Sequence, residues 1–140
     1  MQTFATLADF SAQAGQPLGE TNYMTVTQEM VDHFAQATGD PALPGTYNFL
    51  TLALAPTLLS QLIKVDSSKS MITYGANKIR FNEAVPVGSQ LRLKAWLHHA
   101  EPQNDNEDTN GIRIIVECAF EVEGEQKPAC VAELIMLLFE

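Results

Sequence analysis

The sequence predicts an α+β domain in which an antiparallel sheet curls around one buried helix, and three observations predict it. The stretch NFLTLALAPTLLSQLI, residues 48–63, carries no charge, and the uncharged run extends from Pro41 to Ile63. Within it Leu50, Leu54, Leu58 and Leu62 recur every four residues, while Phe49, Leu52, Ala53, Leu59 and Ile63 fill most of the remaining circumference. A helix without a polar face must be covered by the rest of the protein. Second, four later segments carry strand patterns, of which residues 89–99 alternate most strictly. Third, short turn-like connections join these segments, and a helix followed by a run of neighbouring strands is an α+β layout.

Size and charge narrow the functional classes. A chain of 140 residues is read as one domain, 1–140, long enough to bury a core. The net charge of -9 argues against a nucleic-acid partner, whose phosphates it would repel. All eight Lys and Arg fall between Lys64 and Lys127, which leaves room for a local basic patch toward an anionic ligand. A membrane role is not expected. A span needs roughly 20 apolar residues, and the uncharged helix is shorter, with Thr51, Thr57, Ser60, Gln61 and a central Pro56. The opening MQTFATLADF lacks the basic and apolar regions of a secretory signal. Cys118 and Cys130 have no metal-ligand spacing and make no disulfide framework, so they read as core thiols. A cytoplasmic protein without metal or cofactor is expected.

In chain order, Phe4, Leu7, Ala8 and Ser11 predict a short amphipathic helix ending at Gly15. Residues 16–19 read as a turn and 20–26 as a short strand or extended arm. A second helix should start near Thr27, with Thr25 and Gln28 at capping-box spacing and Met30, Val31, Phe34 and Ala35 as its buried stripe. Gly39 ends it, and Pro41 pushes Asp40 out of helical geometry. The link from Pro41 to Thr46 reads as short and stiff. Pro56 removes the hydrogen bond to the Leu52 carbonyl, so the central helix should bend. Residues 71–81 form the first strand pattern, with Gly75 a bulge or a point of close approach. In the second, Leu91, Leu93, Ala95 and Leu97 face the core, opposite Gln90, Arg92, Lys94 and Trp96. In the third, Ile112, Ile114, Val116, Cys118, Phe120 and Val122 form the inward row. Residues 101–110 read as an acidic loop and 123–127 as a hairpin turn. The fourth strand, 129–139, is apolar on both faces apart from Glu133, as a central or interface strand would be. A small curled sheet with such a strand predicts a homodimer, or a higher oligomer of dimers.

Four segments carry a family resemblance: VTQEMVDHFAQATGD (26–40), FLTLALAPTLL (49–59), YGANKIRFNEAVPVGSQLRLKA (74–95) and KPACVAEL (127–134). Together they resemble the MaoC-like dehydratases, the (R)-specific enoyl-CoA hydratase group that includes nodulation protein N. The resemblance covers nearly the whole chain. It implies the hot-dog fold, side-by-side dimers, an acyl-CoA or similar thioester as substrate, and addition or removal of water across the 2-enoyl double bond. That chemistry needs a base to activate water, an acid for the α-carbon and backbone donors for the thioester oxygen. In the family an Asp, matched here by Asp40, is paired with a His a few residues later, and a His-Gly pair opens the central helix.

The chain departs from that pattern where the chemistry sits. After Asp40 comes only PALPGTYN, with Gly45 near the His spacing and Tyr47-Asn48 in place of His-Gly. The histidines are His33, His98 and His99, none in a matching position. Asp40 is the candidate catalytic residue. Tyr47, Asn48 and Phe49 are expected at the mouth of the cleft, with the Asn48 and Phe49 N–H groups as donors. Asn77, Lys78 and Arg80 are candidates for the anionic part of CoA. His98 and His99 read as a solvated strand end and His33 as a surface residue. Two readings follow: a hydratase by descent, weakened or inactive because the Asp-His pair is incomplete, and a non-catalytic or engineered loop-shortened scaffold that keeps fold, dimer and pocket. A hot-dog thioesterase ranks last, since residues 49–63 contain no carboxylate.

Overall fold

A computed structural model describes residues 1–40, 49–103 and 110–140. Its main sheet is antiparallel. The hydrophobic rows read from the sequence become β5 (Ser70–Phe81), β6 (Gln90–Pro102), β7 (Gly111–Val122) and β8 (Cys130–Phe139). Two short strands, β2 (Pro17–Glu20) and β3 (Met24–Thr25), both pair with β6, giving the order β2-β6-β7-β8-β5. The inward rows are as expected: Leu91, Leu93, Ala95, Leu97, Ile114, Val116 and Phe120 are fully buried and pack in one core with Leu58 and Leu59 of the helical segment. This is the expected hot-dog arrangement.

The central helix is shorter than the 48–63 reading. It comprises α3 (Leu50–Ala53) and α4 (Ala55–Leu59), interrupted at Leu54. Pro56 has no N–H to give to the Leu52 carbonyl, and the Leu54 N–H turns to the Thr51 carbonyl at 3.2 Å, a tightened turn that lets the helix restart with Pro56 in its first turn. Ile63 has left the helix for β4 (Ile63–Val65), which pairs in parallel with β1 (Gln2–Phe4). Nor is the helix covered all round. Thr51, Ala55, Leu58, Leu59 and Leu62 are buried, whereas Phe49 is 58% exposed.

Smaller corrections have local causes. Phe4 lies in β1, and α1 (Leu7–Ser11) begins after a capping box in which Thr6 Oγ1 accepts from the Asp9 N–H at 3.1 Å. Phe10, outside the stripe first read there, is fully buried and meets Phe4 with ring centroids 5.2 Å apart. Residues 17–19, read as a turn, are strand, because the β6 edge offers them partners. Helix α2 (Gln28–Thr38) is capped by Thr27, while Thr25 Oγ1 accepts from Gln90 Nε2 at 2.7 Å. Of the α2 stripe Val31 is buried, and Met30, Phe34 and Ala35 are half-buried. Glu101 and Pro102, read as loop, extend β6 opposite Arg113 and Ile112. The strand β5 carries two bulges. One lies between Thr73 and Gly75, so the irregularity read at Gly75 belongs to Tyr74. The second lies between Asn77 and Arg80, where Lys78 takes a positive φ of 54°.

Candidate functional site

Helix α2 runs out at Gly39, whose φ of 77° lets its N–H reach the Ala35 carbonyl at 2.8 Å. Thr38 Oγ1 donates to the Phe34 carbonyl and accepts from the Asp40 N–H at 3.1 Å. These two bonds fix the backbone at Asp40 and leave its carboxylate exposed. Tyr47 and Asn48 lie outside the described residues, as does the link 41–46. Phe49 caps α3 without a side-chain bond, and its ring meets Phe81 edge-on with centroids 5.4 Å apart. Beside this pair opens an apolar cavity of about 340 Å³. Leu52, Ala53 and Pro56 form its helix wall, Thr73, Ala76 and Ile79 its strand wall, and Leu134 its floor. The cavity exists because α3–α4 buries its opposite face against the core, and β5, at the sheet's edge, has no further strand beside it among the described residues.

The basic candidates face elsewhere. Lys78 and Arg80 line a separate groove of about 310 Å³ with Trp96, Glu117, Val131 and Glu133. Trp96 alternates with the fully buried Ala95 and Leu97, so this groove lies on the side of the sheet away from the core. Lys78 Nζ is 3.2 Å from Glu133 Oε1, and Asn77 stands opposite Glu133 in the ladder. Two unlike environments thus flank β5: an uncharged apolar cavity under the helix and a charged groove behind the sheet.

The apolar cavity lies beside the start of the helical segment in an antiparallel sheet, and sequence comparison identifies the family. The chain is 40% identical to 3-hydroxyacyl-thioester dehydratase Z of Mycobacterium tuberculosis over 97% of each chain. The chain belongs to the MaoC-like dehydratases. It is also 29% identical to nodulation protein N of Rhizobium leguminosarum, over 95% of this chain and 91% of the relative. Among solved structures, a monoamine oxidase regulatory protein described from Archaeoglobus fulgius matches with a TM-score of 0.69 at 20% identity, covering 99% of this chain and 97% of the other. A MaoC-like dehydratase from Rhodospirillum rubrum matches at 0.62 and 12% identity, covering 91% and 92%. At such identities these two speak for the fold alone. No family model matches the chain.

For a MaoC-like dehydratase, the placement of the histidines is notable. Each is exposed and within reach of a carboxylate: His33 Nε2 is 4.0 Å from Glu29, His98 Nδ1 3.0 Å from Glu117, and His99 Nε2 3.5 Å from Glu101. On β6, His99 stands opposite Ile115 of β7 and His98 lies at the register shift between Leu97 and His99, and neither lines the cavity beside β5. Sequence reasoning missed the cavity's strand wall, Thr73, Ala76 and Ile79. Their spacing around the Tyr74 bulge breaks strict alternation, and the bulge at Gly75 was the available signal.

Proposed function

We propose that the protein is an acyl-thioester hydratase or dehydratase by descent, with Asp40 as the surviving half of its acid–base pair and weakened or absent turnover. The observation that most supports the thioester reading is the near full-length identity to a relative described as a 3-hydroxyacyl-thioester dehydratase. The apolar cavity between α3–α4 and β5 supplies room for an acyl chain. In this reading the Asn48 and Phe49 N–H groups polarise the thioester carbonyl and Tyr47 stands at the mouth, whereas Lys78 and Arg80, expected at the anionic part of CoA together with Asn77, line the groove behind the sheet and are left out of it. Water addition needs a base and an acid in hydrogen-bond reach of one water and the α-carbon, and loss of one positioned partner lowers the rate by about 10²–10⁴. The weakened-turnover reading is supported by the absence of a His between Asp40 and Phe49. It is supported also by alignment length. The match to the mycobacterial relative runs over 151 positions, longer than this chain's 140 residues, so that relative carries residues with no counterpart here.

The same reading places the protein in the cytoplasm as a homodimer; among the described residues no helix is long and apolar enough to cross a membrane. The dimer is supported by β5, an edge strand on which Met71, Ile72, Tyr74 and Ile79 are exposed. A loop-shortened, non-catalytic scaffold is the second reading, favoured by the carboxylate contacts of all three histidines. Spectrophotometric hydration of crotonyl-CoA separates the two, run beside a variant in which a longer segment carrying the His that the family pattern calls for replaces residues 41–48. Strong gain of activity in the variant supports descent from a working hydratase. A variant that folds, binds crotonyl-CoA and remains inert favours the scaffold.

A further inference from the structure

The cavity under the helix has a neighbour along the same seam. A second cavity of about 260 Å³ lies further along, lined by Ser60, Ile63, Val65, Ser70, Met71 and Leu138, with Ser68 and Lys69 at its end. The two share their walls' construction. Leu52, Pro56 and Ser60 recur every four residues on one side of the helical segment, Thr73 and Met71 succeed one another on β5, and Leu134 and Leu138 belong to one inward row of β8, with the buried Met136 between them. The seam therefore runs from Phe49 past Pro56 to the Ser68–Ser70 turn. From Leu52 to Ser60 it covers roughly 12 Å of helix rise, and from Ala76 to Ser70 roughly 20 Å of strand.

Its two ends differ in chemistry. Among the described residues, no charged one lines the cavity beside Phe49, and Lys69 is the one charged residue lining the other. Lys69 is exposed, and among the described residues it pairs with no carboxylate. The nearby acids are engaged: Asp66 lies 3.3 Å from Lys64 Nζ, and Glu140 accepts from Asn110 Nδ2. Around Lys69 stand three hydroxyls. Ser60 Oγ donates to the Thr57 carbonyl and Ser68 Oγ to the Ser70 carbonyl, so each keeps lone pairs but not its proton for a ligand. Ser70 has no such internal bond among the described residues and keeps both.

We propose that this seam seats an acyl chain whose far end carries a carboxylate, with Lys69 as the ammonium partner and the Ser70 hydroxyl as a further donor, so that the preferred ligand is the monothioester of an α,ω-dicarboxylic acid. The proposal rests on the acyl-thioester reading and adds the identity of the acyl tail. A methyl-ended chain of the same length would leave its last carbons beside an unpaired ammonium and hydroxyls, whereas a terminal carboxylate forms a charge-assisted hydrogen bond there.

The test measures binding, not turnover. Isothermal titration of the intact protein with dodecanoyl-CoA and with dodecanedioyl-CoA, its ω-carboxylated counterpart, is compared with the same pair on Lys69→Met. The dicarboxylic thioester should bind about fivefold more tightly than the plain one, a preference weakened by salt and lost in the variant. Lys69 is exposed, so the variant should fold as the parent does. If dodecanoyl-CoA binds but the carboxylate brings no gain, or if the gain survives Lys69→Met, the assignment of the tail is overturned while the thioester reading stands. If neither thioester binds, both fall together.

Discussion

At the scale of single residues, Asp40 and the two cysteines show opposite uses of burial. Asp40 is held by its backbone on a solvated helix end, where a lone carboxylate has no acid partner among the described residues. Asp40→Asn should therefore change crotonyl-CoA hydration less than about twofold from a low baseline, against the loss of about 10²–10⁴ expected in a relative with an intact pair. Steady-state rates of both proteins check this, and abolition of an efficient reaction by Asp40→Asn would show that an acid has been overlooked. Cys118 and Cys130 lie in the inward rows of β7 and β8. Burial, with Cys130 nearby, pushes the Cys118 thiol up to about 12, and burial pushes Cys130 up to about 11. In the unfolded chain both ionise at their ordinary value near 9. Above that value the unfolded state has released protons that the folded state retains, so stability is full below it and falls as pH rises through the gap. Urea midpoints should drop as pH rises from about 9 to about 11, and Cys118→Ala should flatten that drop.

At the scale of elements, what the sequence carried was periodicity, and what it lacked was pairing. Leu91, Leu93, Ala95 and Leu97 announce β6 because a half-buried strand must alternate, and every one of them is fully buried. The three-residue ladder of β1 with β4 has no such signature: Gln2, Thr3 and Phe4 become strand because residues 63–65 arrive beside them. The same holds for β2, whose Pro17 and Gly19 read as a turn until the β6 edge supplies partners. Asp40 could be singled out as a candidate because its surroundings match a family phrase, whereas the cavity depends on the gap between a broken helix and a bulged edge strand. Gly111 is another tertiary requirement. A Cβ there would lie 2.9 Å from the Leu138 carbonyl oxygen and 2.5 Å from Cδ1 of the Phe139 ring. Gly111→Ala should cost about 1–3 kcal/mol, because the carbonyl belongs to the ladder and cannot yield as a side chain can. Chemical denaturation measures it, and an unchanged midpoint would mean that the β7–β8 start is looser than the geometry indicates.

At the scale of the whole molecule, one edge of the sheet is shielded and the other open. β2 and β3 cover the outer side of β6, while β5 presents Ile72 and a 61%-exposed Tyr74 along an edge without a neighbour among the described residues. A long apolar edge of this kind invites pairing. Ile72→Asp should shift a micromolar dimer toward monomer in sedimentation equilibrium without changing the circular dichroism of the protomer. A dimer that survives it would move the interface elsewhere. The strand order has another implication. β5 precedes β6 and β7 in the sequence, yet its sheet neighbour is β8, which follows them all. On the ribosome, β5 emerges with both its edges bare and waits while some fifty residues are translated before β8 can slot in beside it. The nascent chain is thus most exposed to misassociation and to chaperone capture in that interval. Any message cut short before residue 130 would leave β5 and β7 with a missing strand between them, a product for proteolysis and not a smaller working domain.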